Sequence, residues 1–311
     1  MIERRKIAGT PKLENFFKFH MSETNTRQPF GLEVLDNLLG GGLRPGTLTV
    51  IAGATGAGKT QLGLQWAARG SDAEGRRGAV LDLTSRGDSQ NHAEYAQSRH
   101  RWPLREQPDW LFAPESSFRE PPPDLLQPFH GIARRVTRPD MDPDAWDAWK
   151  RDLARVLRTS AGFLYSHLCA GAKRVVADGF EPVENAADSV QLELFEYLYA
   201  QVLRQEDAWA AREVLREKYR EYEKDVRSHA YDSASVGCLA LLTASEVSLD
   251  DMLAKPIGQG NLFATANTVI LLGRVRKGDA YGRALCVMKH RGSASSDAIV
   301  PFTIDDGGIR F

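Results

Sequence analysis

The chain of 311 residues holds only three cysteines, Cys169, Cys238 and Cys286. An odd number cannot all pair with one another, and their spacing fits no metal-ligand pattern. Each stands among apolar neighbours, which predicts buried thiols in a reducing compartment. Long apolar runs are also missing. No stretch approaches the length of a membrane span, and no apolar run follows Met1–Lys6 as a leader would require. The expectation is a soluble, cytoplasmic chain without membrane contact. Neither sign of charge is in excess, with 40 basic residues against 41 acidic ones. No global field therefore draws a polyanion to the surface.

Glycine is where the chain is informative. The run Gly53-Ala54-Thr55-Gly56-Ala57-Gly58-Lys59-Thr60 fits G-x-x-x-x-G-K-[ST], the phosphate-binding P-loop. Glycines let the backbone curl so that several N–H groups point inward at a di- or triphosphate. Lys59 supplies a cation for the outer phosphates. Thr60 offers a hydroxyl to Mg²⁺ and, with Gln61, opens a helix whose N-terminal dipole favours anions. The flanking residues suit the motif. Thr47–Ala52 reads as a buried strand, and Gln61–Ala68 as a helix with Leu62 and Trp66 inward. Residues 53–61 are thus the predicted nucleotide-binding set.

Around this centre the pattern is α/β. A short helix carrying Leu35, Leu38 and Leu39 ends at Gly40-Gly41-Gly42 and leads into the loop strand. Strands are predicted at Ala79–Thr84, Arg174–Asp178, Cys238–Thr243, Thr268–Gly273 and Arg283–Met288. A closing hairpin turns at Asp306-Gly307. Nine of the fifteen prolines fall between Pro103 and Pro143, which predicts an irregular insertion holding short helical pieces such as Asn91–Arg99. A helix restarts at Asp142-Pro143, with aspartate as N-cap and proline at the first position. Ala186–Val202 reads as a helix with Leu194, Phe195, Leu198 and Val202 inward. The charged run from Gln205 to Arg227 reads as a solvated helix with i,i+4 pairs. Residues 1–28 are polar and mixed and form a terminal arm.

A second carboxylate should close the nucleotide site by holding Mg²⁺ through water at the end of an apolar strand. Asp178, after Val175-Val176-Ala177, meets that description. Hydrolysis also needs a base or a water-positioning group. The expected place is the end of the strand beside the P-loop strand, which here reads Leu83-Thr84-Ser85-Arg86-Gly87-Asp88. Asp88 is the nearest carboxylate there, and Glu181 is a weaker candidate.

Taken together, these residues resemble the RecA-like ATPases, and more closely their KaiC-like branch. The likeness rests on Gly31-x-x-x-Leu35-Asp36-x-x-Leu39-Gly40-Gly41-Gly42-Leu43-x-x-Gly46 running into the P-loop. It extends to Val175–Asp178, Leu241–Glu246, Met288-Lys289-His290-Arg291-Gly292-Ser293 and Phe302–Ile309. It covers roughly residues 30–87, 145–200 and 236–311. Residues of about 88–142 and 204–235 are insertions in a domain spanning 29–311. The resemblance implies a twisted, mostly parallel sheet with helices on both faces and antiparallel C-terminal strands. It implies MgATP bound between subunits of a ring, often a hexamer. It also implies that Lys289 and Arg291 reach a neighbour's γ-phosphate and that the Thr243–Ser245 segment, Ser245 included, senses that phosphate. The family's paired catalytic glutamates are not matched, since Thr84-Ser85 stands in their place.

Three function classes follow. The first is a ring-forming ATPase or switch acting on a protein partner. The second is an ATP-binding scaffold that hydrolyses slowly or not at all. The third is a recombinase-like DNA-binding protein, which the balanced charge disfavours. In that third class the loop Leu249–Asn267, with only Lys255 basic, and the cluster Arg274, Arg276, Lys277 and Arg283 would meet DNA phosphates.

Overall fold

A computed structural model of the chain describes residues 27–84, 91–107, 110–130, 142–183, 188–254, 262–292 and 298–311, with the side chains of all of these but 148–152. The predicted residues Ser85, Asp88 and Lys255 and residues 1–26 of the arm lie outside the described residues.

In chain order the elements are α1 (Glu33–Leu38), β1 (Leu48–Gly53), α2 (Lys59–Glu74), β2 (Ala79–Asp82), α3 (His92–His100), β3 (Leu125–Leu126) and α4 (Pro143–Cys169). They continue with β4 (Arg174–Phe180), α5 (Val190–Leu198), α6 (Asp207–Leu215), α7 (Glu223–Ser228), β5 (Gly237–Thr243), α8 (Leu249–Ala254) and α9 (Leu262–Thr265). The chain closes with β6 (Thr268–Lys277), β7 (Ala280–His290), β8 (Ile299–Asp305) and β9 (Gly308–Arg310).

One nine-stranded sheet runs in the order β3-β2-β4-β5-β1-β6-β7-β8-β9. From β3 to β6 every pairing is parallel; β7, β8 and β9 add antiparallel pairs. This is the mixed α/β architecture that the resemblance implies. Strand periodicity splits the core in two, because successive side chains point to opposite faces. Leu48, Val50 and Ala52 of β1 join one cluster with Phe163, Leu164 and Leu168 of α4 and Phe195 of α5. Ile51 joins the other, with Leu35 of α1 and Leu62, Leu64 and Trp66 of α2. Strands buried on both faces read as unbroken apolar runs, as β1, β4 and β5 do.

Local signals explain the element ends. Asp142 caps α4 by accepting the Ala145 N–H at 2.9 Å, and Pro143 opens the helix. The Asp306-Gly307 turn joins β8 to β9. The charged run Gln205–Arg227 departs from the expected solvated helix. It folds as α6 and α7, and Ala210, Ala211, Val214 and Leu215 of α6 are buried. The exposed flank does carry the i,i+4 pair Glu223–Arg227 at 2.7 Å. The proline-rich insertion holds the expected short helix as α3 and also contributes the edge strand β3. The segment from residue 199 to residue 203 widens into a π-helical turn.

Candidate nucleotide site

The strand order corrects one expectation. β2 is not beside the P-loop strand: β5 and β4 stand between them. The neighbours of β1 are β5 and β6. The carboxyl end of β2 instead adjoins that of β4, where Asp82 is in register with Asp178.

The P-loop crosses the end of β1 and enters α2. Gly58 is the helix N-cap at φ +102°, a region that L side chains rarely adopt. A Cβ there would also stand 2.8 Å from Ile304 Cδ1 of β8, so the tip of that side chain would have to shift. Lys59 is buried, and its Nζ donates to the carbonyls of Gly53 at 2.9 Å and Ala54 at 3.1 Å. Burial pushes its pKa down, and the charge of Asp178 opposes that.

Thr60 and Asp178 lie 118 residues apart in sequence, yet Thr60 Oγ1 donates to Asp178 Oδ2 at 2.7 Å. Asp178 Oδ1 accepts the Gly179 N–H at 2.7 Å. Gly179, at φ +93°, marks a register shift of β4 against β5 that turns this strand end.

Two residues of this centre were not singled out from sequence, Asp82 and His92. Both are buried, at 0% and 1% exposure. His92 Nε2 lies 3.2 Å from Asp178 Oδ2, and its Nδ1 lies 3.7 Å from Asp82 Oδ2. Asp82 also accepts from Gln127 Nε2 at 2.9 Å and from the Thr84 N–H at 3.0 Å. Burial works against charge on His92, but the hydrogen bond to Asp178 and the two carboxylates hold its pKa above the usual value. Burial likewise opposes charge on Asp178, and His92, Thr60 and Lys59 together hold it below the usual carboxylate range. Asp82 had a readable signal, an acid closing the apolar run Ala79-Val80-Leu81 just as Asp178 closes Val175-Val176-Ala177. His92 had none, since it comes from the insertion and only the fold delivers it.

The other candidates scatter. Ser245 is exposed, and its hydroxyl donates to Glu246 at 2.9 Å. The Glu181 N–H is held by Gln191 at 3.1 Å, and Gln191 also donates to the carbonyls of Leu83 and Gly179. Lys289 pairs with Val269, which pairs with Val50, three residues before Gly53. That sets it roughly 10 Å back along the sheet from its own P-loop. Lys289 Nζ donates to the carbonyls of Phe263 and Ala264, and Arg291 donates to Ala264. Among the described residues, their side-chain hydrogen bonds go to these carbonyls and not to the P-loop.

Residues 28–91 match the family model described as the KaiC ATPase. This region is KaiC-like. Together the match and the sheet give a KaiC-like, RecA-type P-loop fold. No curated protein matches the chain. The KaiC-like region contains α1, β1, the P-loop, α2 and β2, whereas Asp178, Lys289 and Arg291 lie beyond it. Among the described residues, no helix is long and apolar enough to cross a membrane. Cys169, Cys238 and Cys286 are buried thiols, and no disulfide joins them.

Proposed function

We propose that the chain binds MgATP at the P-loop and acts as a nucleotide-dependent oligomeric ATPase or switch on a protein partner. The convergence of Thr60 on Asp178 at the mouth of α2, with Lys59 beside them, carries this reading. A hydroxyl and a carboxylate meeting at a helix N-terminus fit a magnesium-bound phosphate chain, since the oxygens suit the ion and the helix end suits the anion. In this reading the backbone of residues 53–58 and Gln61 cradles phosphates, and Lys59 swings from the loop carbonyls to the outer ones. Thr60 and Asp178 would supply the oxygens that hold Mg²⁺. The bound ion would offset phosphate charge.

Residues 29–311 then form one ATPase unit preceded by an arm. Lys289 and Arg291 face a neighbour's nucleotide, which their distance from the chain's own loop favours. Turnover is slow in this reading. Asp82 is tied by Thr84, Gln127 and His92 rather than free to position water, and no glutamate occupies the end of β2. The scaffold reading differs only in having no turnover at all.

The experiment is ATP turnover and particle size recorded on the same sample, with Lys59→Ala as control. The expected result is ATP-driven assembly with slow, Lys59-dependent turnover. A chain that stays monomeric with and without ATP removes the roles of Lys289 and Arg291, and failure to bind ATP removes the whole reading.

A further inference from the structure

A cavity of about 390 Å³ lies beside the P-loop, where the segment after β5 crosses to meet β6 and β7. Residues 54–57 of the loop form one wall, and Ala244, Ser245 and Val247 after β5 form another. The third wall is Gly273 and Arg274 of β6 with Arg283 of β7. Among the described residues, no acidic one lines it. Among the described residues, the guanidiniums of Arg274 and Arg283 have no hydrogen-bond or ion-pair partner. Thr55 and the two arginine forks therefore line this space, and Ser245 at its edge donates its hydroxyl to Glu246.

Strand register shows that this pairing is built rather than incidental. Arg274 stands directly opposite Arg283, and Arg276 directly opposite Tyr281. Residues directly opposite on antiparallel strands share a face, as do residues two apart on one strand. Arg274, Arg276, Tyr281 and Arg283 thus share one face of the β6–β7 hairpin. Like charges opposite one another cost stability unless an anion comes between them. Tyr281 is 71% exposed and continues the same face outward. From Arg274 to Arg283 the hairpin carries four basic residues and one acid, in a chain whose net charge is −1.

We propose that this cavity holds a phosphate group between the tip of the P-loop and the Arg274–Arg283 pair, as a subsite separate from the loop's own cradle. Guanidinium forks match phosphate oxygens two at a time. That phosphate has two chemical sources. One is the outer phosphate of a nucleotide seated in the loop. The other is a phosphodiester of a single strand lying along the hairpin, with Arg276 on the next phosphate and a base stacked on Tyr281. The first source rests on the nucleotide reading given above; the second does not.

Two binding measurements on the full chain decide it, comparing wild type with Arg274→Ala/Arg283→Ala and with the charge-keeping Arg274→Lys/Arg283→Lys. The first is titration with ATP and with ADP, with Lys59→Ala as control. The second is fluorescence anisotropy with a labelled oligothymidylate at low and moderate salt, with polyglutamate as competitor. The alanine pair is expected to lose about tenfold or more in one arm, the scale of a charge-assisted hydrogen bond. A nucleotide source shows as lost preference for ATP over ADP with ADP binding intact. A strand source shows as lost oligothymidylate binding that Lys59→Ala retains and Tyr281→Ala also weakens. The lysine pair keeps the charge and loses the fork, so an intermediate loss supports the subsite even if the alanine pair folds poorly. Less than twofold change in both arms overturns the proposal. So does displacement of the oligonucleotide by polyglutamate as readily as by unlabelled strand, with no change in the ATP/ADP ratio. A wild type that binds neither nucleotide defeats the nucleotide reading alone, and the strand arm then decides the subsite.

Discussion

Asp178 is held by three donors at once: Thr60, the Gly179 N–H and His92. A fully buried carboxylate stays charged only when its oxygens are satisfied in this way. The His92 link makes the stability of the metal-free chain depend on pH. The folded pKa of His92 is raised above its unfolded value of about 6.5, so its contribution is complete below that pH and is lost as pH rises through the folded value. Asp178 is depressed, so its contribution is complete above about 3.9 and is lost as pH falls through the folded value. Thermal unfolding of wild type and His92→Asn should therefore differ most at mildly acidic pH and converge as the solution turns alkaline. A gap that widens with pH would contradict this. Gly58→Ala tests a different atom of the same site. Its φ of +102° and the contact with Ile304 together should cost about 1–3 kcal/mol, read as a lower denaturation midpoint, along with lost binding of a fluorescent ATP analogue. A Gly58→Ala chain that is as stable as wild type and binds equally well would show that the hairpin yields at no cost.

Elements are joined by a few buried polar ties. Arg174 opens β4 with no exposure and donates to both oxygens of Glu74 at the end of α2, at 2.8 and 2.7 Å. It also donates to the carbonyls of Pro29 and Trp66 and lies over the Trp66 ring at 5.2 Å. Removing one partner of such a pair leaves an uncompensated charge and four broken hydrogen bonds. Arg174→Ala should cost about 3–5 kcal/mol in urea unfolding, and a loss under 1 kcal/mol would mean that water replaces the guanidinium at little cost. The cap of α4 is a smaller tie at an exposed end. Asp142→Ala should cost about 1 kcal/mol, and Asp142→Asn much less, because either side-chain oxygen can accept from the Ala145 N–H. The same scale shows what could be read locally. Asp142-Pro143, Asp306-Gly307 and the triple glycine after α1 each carry their element boundary in adjacent residues. Burial of α6 could not be read this way, because a charged helix shows its apolar stripe only once α4 is there to cover it.

At the scale of the molecule, the sheet has a P-loop end and a far end. Thr60, Asp178, His92 and the Arg274–Arg283 cavity are at the first, and Lys289 and Arg291 are toward the second. In the proposed oligomer, one subunit's far end would stack on the next one's loop and complete its site. Lys289→Ala should leave ATP binding by the isolated chain within about twofold while weakening ATP-driven assembly by tenfold or more, the effect of losing a charge-assisted contact to phosphate. Sizing by light scattering against ATP concentration would reveal it. Equal assembly by wild type and variant would detach Lys289 from the nucleotide.

Much of this molecule was determined by short stretches of sequence. The P-loop, the strand before it and the helix after it are contiguous, so the chemistry of residues 53–61 is legible wherever they fold. Asp178 was legible for the same reason, as an acid at the end of an apolar run. Strand order, however, depends on which surfaces bury each other, and no local pattern records that. Only tertiary packing put β5 and β4 between β1 and β2, set Asp82 against Asp178, and drew His92 from the proline-rich insertion into their midst. It also laid Arg274 across from Arg283 beside the loop. A one-residue slip in that hairpin would turn the arginines to the other face, and their placement is decided by the apolar residues that fix its register.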